Sequence, residues 1–422
     1  MEGRRGDTRL RLVYIIGTYP LLTTTFIDRE VRILRRWGAD VRIVAVRRPG
    51  AEVPLSSEQR ALQRGVRYLL PVAWRDLILS HLFFLTRRPG RLLSTFIYLL
   101  TRPHPTLRSR LKTVLHVGEG VYAAYLVRDR GFDELHAHFA DRAATIAMVA
   151  ARLLAKPYSL SIHASLDVFV QPVLLREKIE QVRHVATCTE HNRVHVLSLV
   201  GDDLAPKITH VPHGLDLTEY AIPQRRVEGI PVVLAVGQLV ARKGFADLIA
   251  TCAELRDRGY RFECRIVGDG PQSDELRASV RRLALEGLVT LCGALPHDRV
   301  LEQYAQAAVF VLPCVRTRDG DVDGIPNAIA EAMAMRVPVV STDLPAIREL
   351  VSDRVNGSIV PPGDAASLAD AIAHLLDDPA LRGRMGDEGR RTVEDRFDVE
   401  QNVGRFVSTL WPDRLDREVA VR

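Results

Sequence analysis

The feature that most constrains the fold is a strand–loop–helix–strand pattern that the chain begins twice. Buried-strand sequences occur as LRLVYIIG at 10–17 and as PVVLAVG at 231–237, and an amphipathic helix follows each of them. Short apolar runs that alternate with helical periodicity are typical of parallel sheets covered by helices. The sequence therefore predicts an α/β protein with two doubly wound, Rossmann-like domains, whose ligands bind at the carboxyl ends of the strands.

The domain boundaries follow from where this pattern stops and restarts. Residues 221–230 (AIPQRRVEGI) have no apolar period and are the predicted linker. We expect an N-terminal domain at 1–225, a second domain at 226–396, and a last helical segment at 397–422 that crosses back to the first domain. With 422 residues the chain is long enough for two cores, and we expect the domains to face each other across a cleft.

Cysteine usage and hydropathy indicate the compartment. The five cysteines are odd in number, spread along the chain and never in CxxC spacing, which favours buried thiols in a reducing environment. The first apolar run is too short for a signal peptide, and no uncharged apolar segment reaches the roughly 18 residues of a membrane span. These patterns predict a cytoplasmic protein with no membrane-spanning segment.

The charge is unevenly distributed. Residues 1–225 hold 33 Lys and Arg against 21 Asp and Glu, a net charge of +12, and the remainder holds 25 against 31, or −6. Residues 71–112 contain eight basic residues and one acid among apolar runs. We favour a cationic, apolar surface that lies on an anionic membrane. The alternative is two core-packed helices whose arginine stems reach outward. Nucleic acid is disfavoured because interleaved aromatic residues and a known binding motif are missing.

The stretch Asp319–Pro338 (DGDVDGIPNAIAEAMAMRVP) predicts an anion site. Pro326 suits the first turn of a helix, and good helix formers follow it from Asn327 to Met335. The free NH groups and the dipole at such a helix start favour an anion. Asp323 precedes this turn, and Glu331 lies one helical turn after Asn327. Carboxylates that flank an anion-binding helix start indicate a ligand with both hydroxyls and phosphates.

Two other interpretations of the acidic residues are rejected. The spacing Asp319-x-Asp321-x-Asp323-Gly imitates a calcium loop, but Ala330 occupies the twelfth position, where such a loop requires a carboxylate. A metal-binding DxD motif belongs to a different sugar-transferase architecture with a single mixed-sheet domain. We therefore predict no metal site.

Four further features have a functional and a purely structural interpretation. GDGPQS, which contains Gly268 and Gly270, is either a nucleotide-binding turn or a tight strand-to-helix turn. Arg242 and Lys243 follow a strand at a helix N-terminus. They are either exposed loop cations or the partners of an anion such as a diphosphate, because unpaired cations there oppose the helix dipole.

His163 ends a strand and Gly17 precedes a threonine-rich loop. Beside a functional role, His163 could serve only packing and Gly17 could serve only a turn.

Together these segments resemble the retaining GT-B glycosyltransferases of family 4 over nearly the whole chain. The segment from Asp323 to Ala334 is similar to the family signature E-G-x-P-x-x-x-x-E-A-M-A, with Asp323 at the first Glu. VPHGLDLTEY has His213 where the family usually has Asn, and GQLVARKGF has Gln238 at a usual Arg. IVGDGP and STDLPAIRELV also match, while YPLLTTTFIDREV and HAHFA resemble exopolysaccharide and lipopolysaccharide enzymes of this group.

The resemblance implies a role for each predicted site residue. Glu331 would hold the ribose hydroxyls of a nucleotide, and Lys243, assisted by Arg242 or Gln238, would neutralise its diphosphate. His163 would reach the sugar from the first domain. The donor sugar and its phosphate would face one carboxylate and three backbone NH groups, which belong to Asp323, Gly324, Ile325 and Asn327. Close approach of loops to the donor would need the glycines at Gly17, Gly268 and Gly270.

The implied activity is metal-independent transfer of a hexose from a nucleotide-diphosphate sugar to a lipid-linked glycan or polysaccharide precursor, with retention of configuration. Such an enzyme would be peripheral at the inner face of the cell membrane. Three alternatives remain open: a nucleotide-sugar epimerase of the same fold, a binding protein that has lost catalysis, and, remotely, a dehydrogenase. Asp323 and Gln238, which depart from the family pattern, are the residues that favour the inactive alternative.

Overall fold

The computed structural model describes residues 9–51, 53, 55–163, 168–170, 172–220 and 229–412. These residues form two compact units. The first contains the described residues up to His213 together with those from Glu400 onward, and the second is Gly214–Val399. Most of the predicted linker at 221–230 lies outside the described residues.

The first unit is built on a parallel sheet of seven strands: β1 (Arg11–Thr18), β2 (Asp40–Arg47), β3 (Arg67–Tyr68), β4 (Glu134–His138), β5 (Tyr158–Ile162), β6 (Val185–Thr187) and β7 (Ile208–His210). Their order is β3-β2-β1-β4-β5-β6-β7. The direction of the order reverses between β1 and β4, and sheets of this kind bind ligands outside the strand ends at that point. The predicted doubly wound first domain is confirmed.

Nine helices among the described residues belong to this unit: α1 (Thr25–Arg36), α2 (Ser57–Arg64), α3 (Trp74–Arg87), α4 (Pro89–Thr101), α5 (Leu107–Val127), α6 (Arg142–Leu154), α7 (Leu175–Gln181), α8 (Glu190–Val200) and α16 (Val399–Leu410), which begins one residue before the unit boundary. The small side chains of α6 are almost all buried, which lets α5 pack closely against it. The sequence pattern predicts α6 and β5 at their observed bounds, but it gives no prediction for α5.

The second unit contains a parallel sheet of six strands: β8 (Val232–Val236), β9 (Glu263–Val267), β10 (Val289–Gly293), β11 (Ala307–Leu312), β12 (Val339–Thr342) and β13 (Gly357–Val360). The order is β10-β9-β8-β11-β12-β13, so the reversal falls between β8 and β11. Its helices are α9 (Phe245–Asp257), α10 (Ser273–Arg282), α11 (His297–Gln306), α12 (Asn327–Ala334), α13 (Pro345–Arg348), α14 (Ala365–Asp377) and α15 (Pro379–Arg396). The predicted second doubly wound domain is confirmed.

The closing segment of the described chain completes the core of the first unit. The rings of Phe406 and Trp411 pack at 5.4 and 5.9 Å from the ring of His136 on β4. Arg36 at the end of α1 forms an ion pair with Glu400. The side chain of Trp411 is fully buried, so the segment is an integral part of this unit.

Helices α3, α4 and α5 carry an uncovered apolar surface. Their inward faces bury residues such as Phe84, Leu99 and Val117, while most of the large exposed hydrophobic side chains of the described residues lie on their outward faces. We call this outward face the apolar-basic surface; its apolar members are Trp74, Ile78, Leu79, Leu82, Leu85, Leu93, Ile97, Leu107, Leu111 and Leu115. Among the described residues, no helix combines the length and apolar character needed to cross a membrane.

Candidate functional site

Three loops meet at the carboxyl edge of the second sheet. They follow β8, β9 and β11, and backbone hydrogen bonds join them. The NH of Leu239 donates to the carbonyl of Asp269 at 3.0 Å, and the NH of Val315 donates to the carbonyl of Arg242 at 2.8 Å. The loops therefore form one rigid edge at the point where the strand order reverses.

The glycines of the GDGP turn have a packing role. Gly268 has a φ of +147°, and a Cβ built on it would lie 1.8 Å from the carbonyl oxygen of Gly237. A Cβ on Gly270 would lie 2.5 Å from the carbonyl oxygen of Leu239. Backbone packing therefore excludes a larger residue at both positions. Their contact with a nucleotide remains a prediction.

The loops after β8 and β11 bring two cations and two carboxylates together. The Nζ atom of Lys243 lies 2.8 Å from Oδ2 of Asp323, and Nε of Arg242 lies 3.1 Å from Oδ1. Arg242 also bonds Oδ2 of Asp321 through Nη1 at 3.0 Å. We call these four residues the charged cluster. The sequence predicts that Asp319 and Asp321 serve only to solvate the loop. For Asp321 this prediction is wrong, because its side chain is buried against Arg242, whereas Asp319 is exposed.

The electrostatics of the charged cluster favour the ionised forms of Asp323 and Arg242. Burial on its own would raise the pKa of Asp323, but the charges of Lys243 and Arg242 outweigh it and lower that pKa. Burial would lower the pKa of Arg242, yet Asp323 and Asp321 raise it. Two positive and two negative charges balance formally. A bound diphosphate would therefore have to share these cations with the carboxylates.

Helix α12 carries the remaining predicted contacts of the second unit. It begins at Asn327, directly after Pro326, so the predicted helix start is confirmed. Glu331 is buried, and the hydroxyl of Tyr304 donates to its Oε2 at 3.3 Å. Tyr304, on α11, is a residue that the sequence pattern did not single out. Gly324 and Ile325 lie in the turn before Pro326, while the side chain of Gln238 is exposed in the loop after β8.

A row of histidines occupies the carboxyl edge of the first sheet. The Nδ1 atom of His138 lies 3.0 Å from Nε2 of His163, and Nδ1 of His163 lies 2.9 Å from Nε2 of His213. His136, two residues before His138 on β4, contacts the hydroxyls of two serines on β5 at 2.9 and 3.1 Å. We call His138, His163 and His213 the histidine row. Only His163 was predicted as a site residue, although the spacing of HAH places its two histidines on one side of a strand.

Aromatic and acidic neighbours fix the row in place. Phe26 on α1 stacks on His213 with ring centroids 4.2 Å apart and planes at 7°. The hydroxyl of Tyr14 donates to Oε1 of Glu30 at 2.5 Å, and the same oxygen lies 3.5 Å from Nε2 of His138. Burial lowers the pKa of His163 well below 6.5, and the adjacent rings lower it further. Burial therefore favours the neutral form of His163.

Gly17 lies near the end of β1. A Cβ built on it would meet only Oδ2 of Asp141, at an ordinary contact distance of 3.9 Å. No contact with a described residue therefore requires glycine here, and the close approach of a ligand to Gly17 remains a prediction.

Two groups of side chains in the first unit have metal-ligand spacing: His163 with Cys188 and His213, and Glu30 with His136 and His138. In each group the potential ligand atoms lie within 4.8 Å of one another. However, the Cys188 thiol donates to the carbonyl oxygen of His163 at 2.9 Å and accepts from Asn192, as a protonated, structural cysteine does. Hydrogen bonds among the side chains therefore account for this arrangement.

The second unit matches a known family. Residues 230–378 match the family model of the glycosyl transferases group 1, and this range contains both the charged cluster and α12. The whole chain superposes on HepE from Anabaena in complex with UDP-glucose, with a TM-score of 0.72, 17% identity and coverage of 95% of this chain and 99% of that one. The chain has the GT-B fold, and its second unit is similar to the group 1 glycosyl transferases over residues 230–378.

Two curated proteins named as glycosyltransferases are also similar to this chain. The chain is 37% identical over 200 residues to the putative colanic acid biosynthesis glycosyltransferase WcaL of Escherichia coli strain K12, covering 47% of this chain and 49% of WcaL. It thus spans about half the length of that relative. The putative teichuronic acid biosynthesis glycosyltransferase TuaC of Bacillus subtilis is 25% identical over 423 residues, covering 93% of this chain and 96% of TuaC.

Proposed function

We propose that this protein is a glycosyltransferase that moves a hexose from a nucleotide-diphosphate sugar to a lipid-linked glycan or polysaccharide precursor, with retention of configuration. The observation that carries the proposal is the charged cluster beside the N-terminus of α12, in the segment that matches the glycosyl transferases group 1. Departure of the nucleotide builds negative charge on the outer phosphate, and preorganised cations and helix NH groups stabilise such charge.

The relatives favour a transferase in polysaccharide biosynthesis over the epimerase. WcaL and TuaC bear the names of polysaccharide glycosyltransferases, and HepE binds UDP-glucose. We propose that Lys243 and Arg242 supply the positive charge at the leaving group, so that transfer requires no metal. Turnover should then persist in EDTA.

A thermal-shift panel of nucleotide diphosphates and nucleotide sugars tests donor binding. A ligand at 100 times its Kd stabilises the folded state by about 2.7 kcal/mol. We expect Glu331→Ala to abolish the shift, because the buried carboxylate is proposed to hold the ribose hydroxyls. Glu302→Ala, which removes an exposed carboxylate of α11, is the matched control. Equal shifts in wild type and Glu331→Ala would refute the ribose assignment.

We also propose that the apolar-basic surface binds an anionic membrane. A core-packed helix covers its apolar residues, whereas Trp74, Leu107 and Leu111 are 76%, 83% and 64% exposed. Exposed cations surround this surface, and the first turns of α4 and α5 contain no acid. Since cations near a helix N-terminus oppose its dipole, an anionic lipid headgroup there would relieve the repulsion.

Not every arginine of the basic region contributes to this surface. Arg88 and Arg91 donate to the carbonyl of Leu153 at 2.7 and 3.4 Å, where they cap the C-terminus of α6. These two therefore serve packing, as the alternative interpretation of the sequence predicts.

Co-sedimentation with vesicles of phosphatidylcholine containing 30% phosphatidylglycerol, roughly −30 to −50 mV at the surface, tests the membrane proposal. Reversing the exposed cations of α5, with Arg108→Glu, Arg110→Glu and Lys112→Glu together, should abolish binding. Arg281→Glu with Arg282→Glu, on α10, is the control for charge alone. Leu111→Ser should weaken binding, whereas Leu199→Ser, at an exposed position on α8, should not. Binding unchanged by the α5 reversals would contradict the proposal.

A further inference from the structure

Of the two groups with metal-ligand spacing, the one formed by Glu30, His136 and His138 contains an unsatisfied atom. The Nε2 atom of His138 is completely buried and forms no hydrogen bond with any described residue. A buried polar atom without a partner costs free energy, so it indicates a ligand at that position. The other group differs, because hydrogen bonds satisfy the thiol of Cys188. We call Glu30, His136 and His138 the triad.

The spacing of the triad suits a shared metal ion better than a hydrogen bond. The Nε2 atom of His138 lies 3.5 Å from Oε1 of Glu30. An N–H···O bond is usually about 2.7–3.2 Å long. Two ligands of one tetrahedral zinc ion, each about 2.0–2.1 Å from the metal, lie about 3.3–3.4 Å apart. The potential ligand atoms of the whole triad lie within 4.8 Å of one another, so small side-chain rotations would bring all three to one ion.

The carboxylate of Glu30 lies in a largely buried place beside a phenol and an imidazole ring. It accepts a hydrogen bond from the Tyr14 hydroxyl at 2.5 Å and faces His138. Its side chain is only 14% exposed, and no lysine or arginine among the described residues forms an ion pair with it. Removing a carboxylate from water is expensive unless a positive charge lies beside it. A divalent cation between Glu30 and His138 would provide that charge.

The other nitrogen of His138 has the kind of partner that a metal ligand needs. A histidine that binds a metal through one nitrogen usually donates a hydrogen bond from the other. With Nε2 on the ion, Nδ1 of His138 would donate to Nε2 of His163, which lies 3.0 Å away. The hydroxyl of Tyr14 holds the carboxylate of Glu30 in the same way. Surrounding side chains therefore fix two of the three ligands.

His136 can join the ion by giving up one hydrogen bond. Its Nδ1 atom lies 2.9 Å from Oγ of Ser159, and its Nε2 atom lies 3.1 Å from Oγ of Ser161. Because a hydroxyl can donate or accept, the serine at the other nitrogen can still bond the ring whichever nitrogen binds the ion. The rings of His136 and His138 project from the same side of β4, with centroids 4.7 Å apart. One strand therefore supplies two ligands and α1 supplies the third.

We propose that the triad binds one Zn²⁺ ion, which joins α1 to β4 within the first unit. Two imidazoles and one carboxylate are donors that zinc accepts, with a water molecule as the fourth ligand of a tetrahedral site. The three ligands are buried or largely buried, so the ion stabilises the fold and takes no part in glycosyl transfer. The site is therefore compatible with metal-independent transfer at the charged cluster, and it does not rest on that proposal.

Titration with Zn²⁺ alone tests the site in the full-length protein. After its metals are removed with a chelator, the chain should take up one equivalent of zinc, measured by elemental analysis after dialysis. Glu30→Gln and His138→Gln should each weaken zinc binding about 100-fold or more, because even the loss of an outer partner of a ligand costs 10–100-fold in affinity. His195→Gln, which alters a half-buried histidine of the same unit outside the triad, should bind zinc as wild type does. Wild-type affinity in both triad variants would overturn the proposal.

Cobalt spectroscopy tests the ligands in the wild-type protein and does not depend on the folding of a variant. Co²⁺ bound by the triad should give visible d–d bands without a near-ultraviolet charge-transfer band from sulfur. The group that contains Cys188 would give that band, and Cys188→Ser would remove it. We therefore expect one Co²⁺ per chain, no sulfur band, and the same spectrum in Cys188→Ser. A sulfur band, or the absence of any cobalt uptake, would overturn the proposal.

Thermal unfolding separates the zinc site from the proposed function. Zn²⁺ that binds the folded state should raise the Tm of the wild-type protein as its concentration rises, and it should leave the Tm of Glu30→Gln unchanged. A protein that shows this zinc-dependent shift but transfers no sugar would refute only the transferase. A protein that turns over nucleotide sugars but shows no zinc-dependent shift would refute only the zinc site.

Discussion

The carboxyl edges of the two sheets lie at equivalent points of the fold but carry different kinds of side chain. Each edge lies where the strand order reverses, between β1 and β4 in the first unit and between β8 and β11 in the second. The first edge holds three histidine rings in hydrogen-bond contact beside the carboxylate of Glu30, whereas the second holds two cations balanced by two carboxylates. Contacts between rings therefore organise the first edge, and charge compensation organises the second.

The largest expected effect comes from unbalancing the charged cluster. Lys243→Met removes the cation that contacts Asp323 at 2.8 Å and leaves a buried carboxylate with one partner fewer. We expect turnover of the nucleotide sugar to fall about 10²–10³-fold, as when one preorganised charge-stabilising group is lost. Initial rates at saturating donor measure this. Arg277→Met, an exposed cation on α10 with only a surface ion pair, should stay within twofold of wild type.

A smaller effect is expected when the carboxylate of Asp323 is kept but moved. Asp323→Glu, the residue of the resembling family, retains the charge and extends the side chain by one methylene. We expect turnover to change by about tenfold or less, whereas Asp323→Asn leaves Lys243 and Arg242 only partly compensated and should weaken folding as well. Rates and urea unfolding of both variants measure the difference. An Asp323→Asn protein as stable as wild type would show that these ion pairs are dispensable.

The smallest expected effect is a pH dependence of stability that comes mainly from the first unit. Burial lowers the pKa of His163 and His136 well below 6.5, and that of His116 to about 4. Below pH 6.5 these histidines bind protons in the unfolded chain but not in the folded protein. The free energy of unfolding therefore falls as the pH falls. A histidine that stays neutral one pH unit below 6.5 costs about 1.4 kcal/mol of stability.

Four carboxyl groups of the described residues act in the opposite direction. Burial raises the pKa of Asp28 to about 6, so its protonation favours the folded state as the pH falls through that value, and burial also raises the pKa of Glu134, Asp141 and Asp247. Because the three histidines have unfolded-state pKa values inside this interval and Asp28 titrates only near its lower end, we expect a net loss of stability between pH 7.5 and 5.5 in urea titrations. His116→Gln should reduce this loss. A stability that rises over the same interval would contradict the assignment of neutral histidines.

The sequence predicts the alternation of strands and helices better than it predicts the charge partners. Continuous apolar runs and helical periodicity locate β5, α6 and α12 because burial imposes those patterns locally. The position of Asp323 beside Lys243 depends on two loops that are about 80 residues apart and meet only at the edge of the folded sheet. Asp321 illustrates the limit: its neighbours in sequence are those of a solvated loop, yet Arg242 lies against it in the fold.

The histidine row shows the same limit in the first unit. His138 and His163 end adjacent strands, so sheet topology alone would bring them together, but a sequence pattern does not give the strand order. The contact between Glu30 and His138 depends on the rotation of α1 against the sheet, which the periodicity of the helix leaves open. The apolar-basic surface was recognisable from composition, whereas its separation from the two packing arginines required the helix orientations.

The packing of Phe406 and Trp411 against His136 has a consequence for biosynthesis. A ribosome makes the strands of the first unit before those of the second, but it makes α16 after the whole of the second unit. The nascent first unit therefore lacks the aromatic cover of β4 until translation has passed residue 411. The half of the molecule that is synthesised first is in this way completed last.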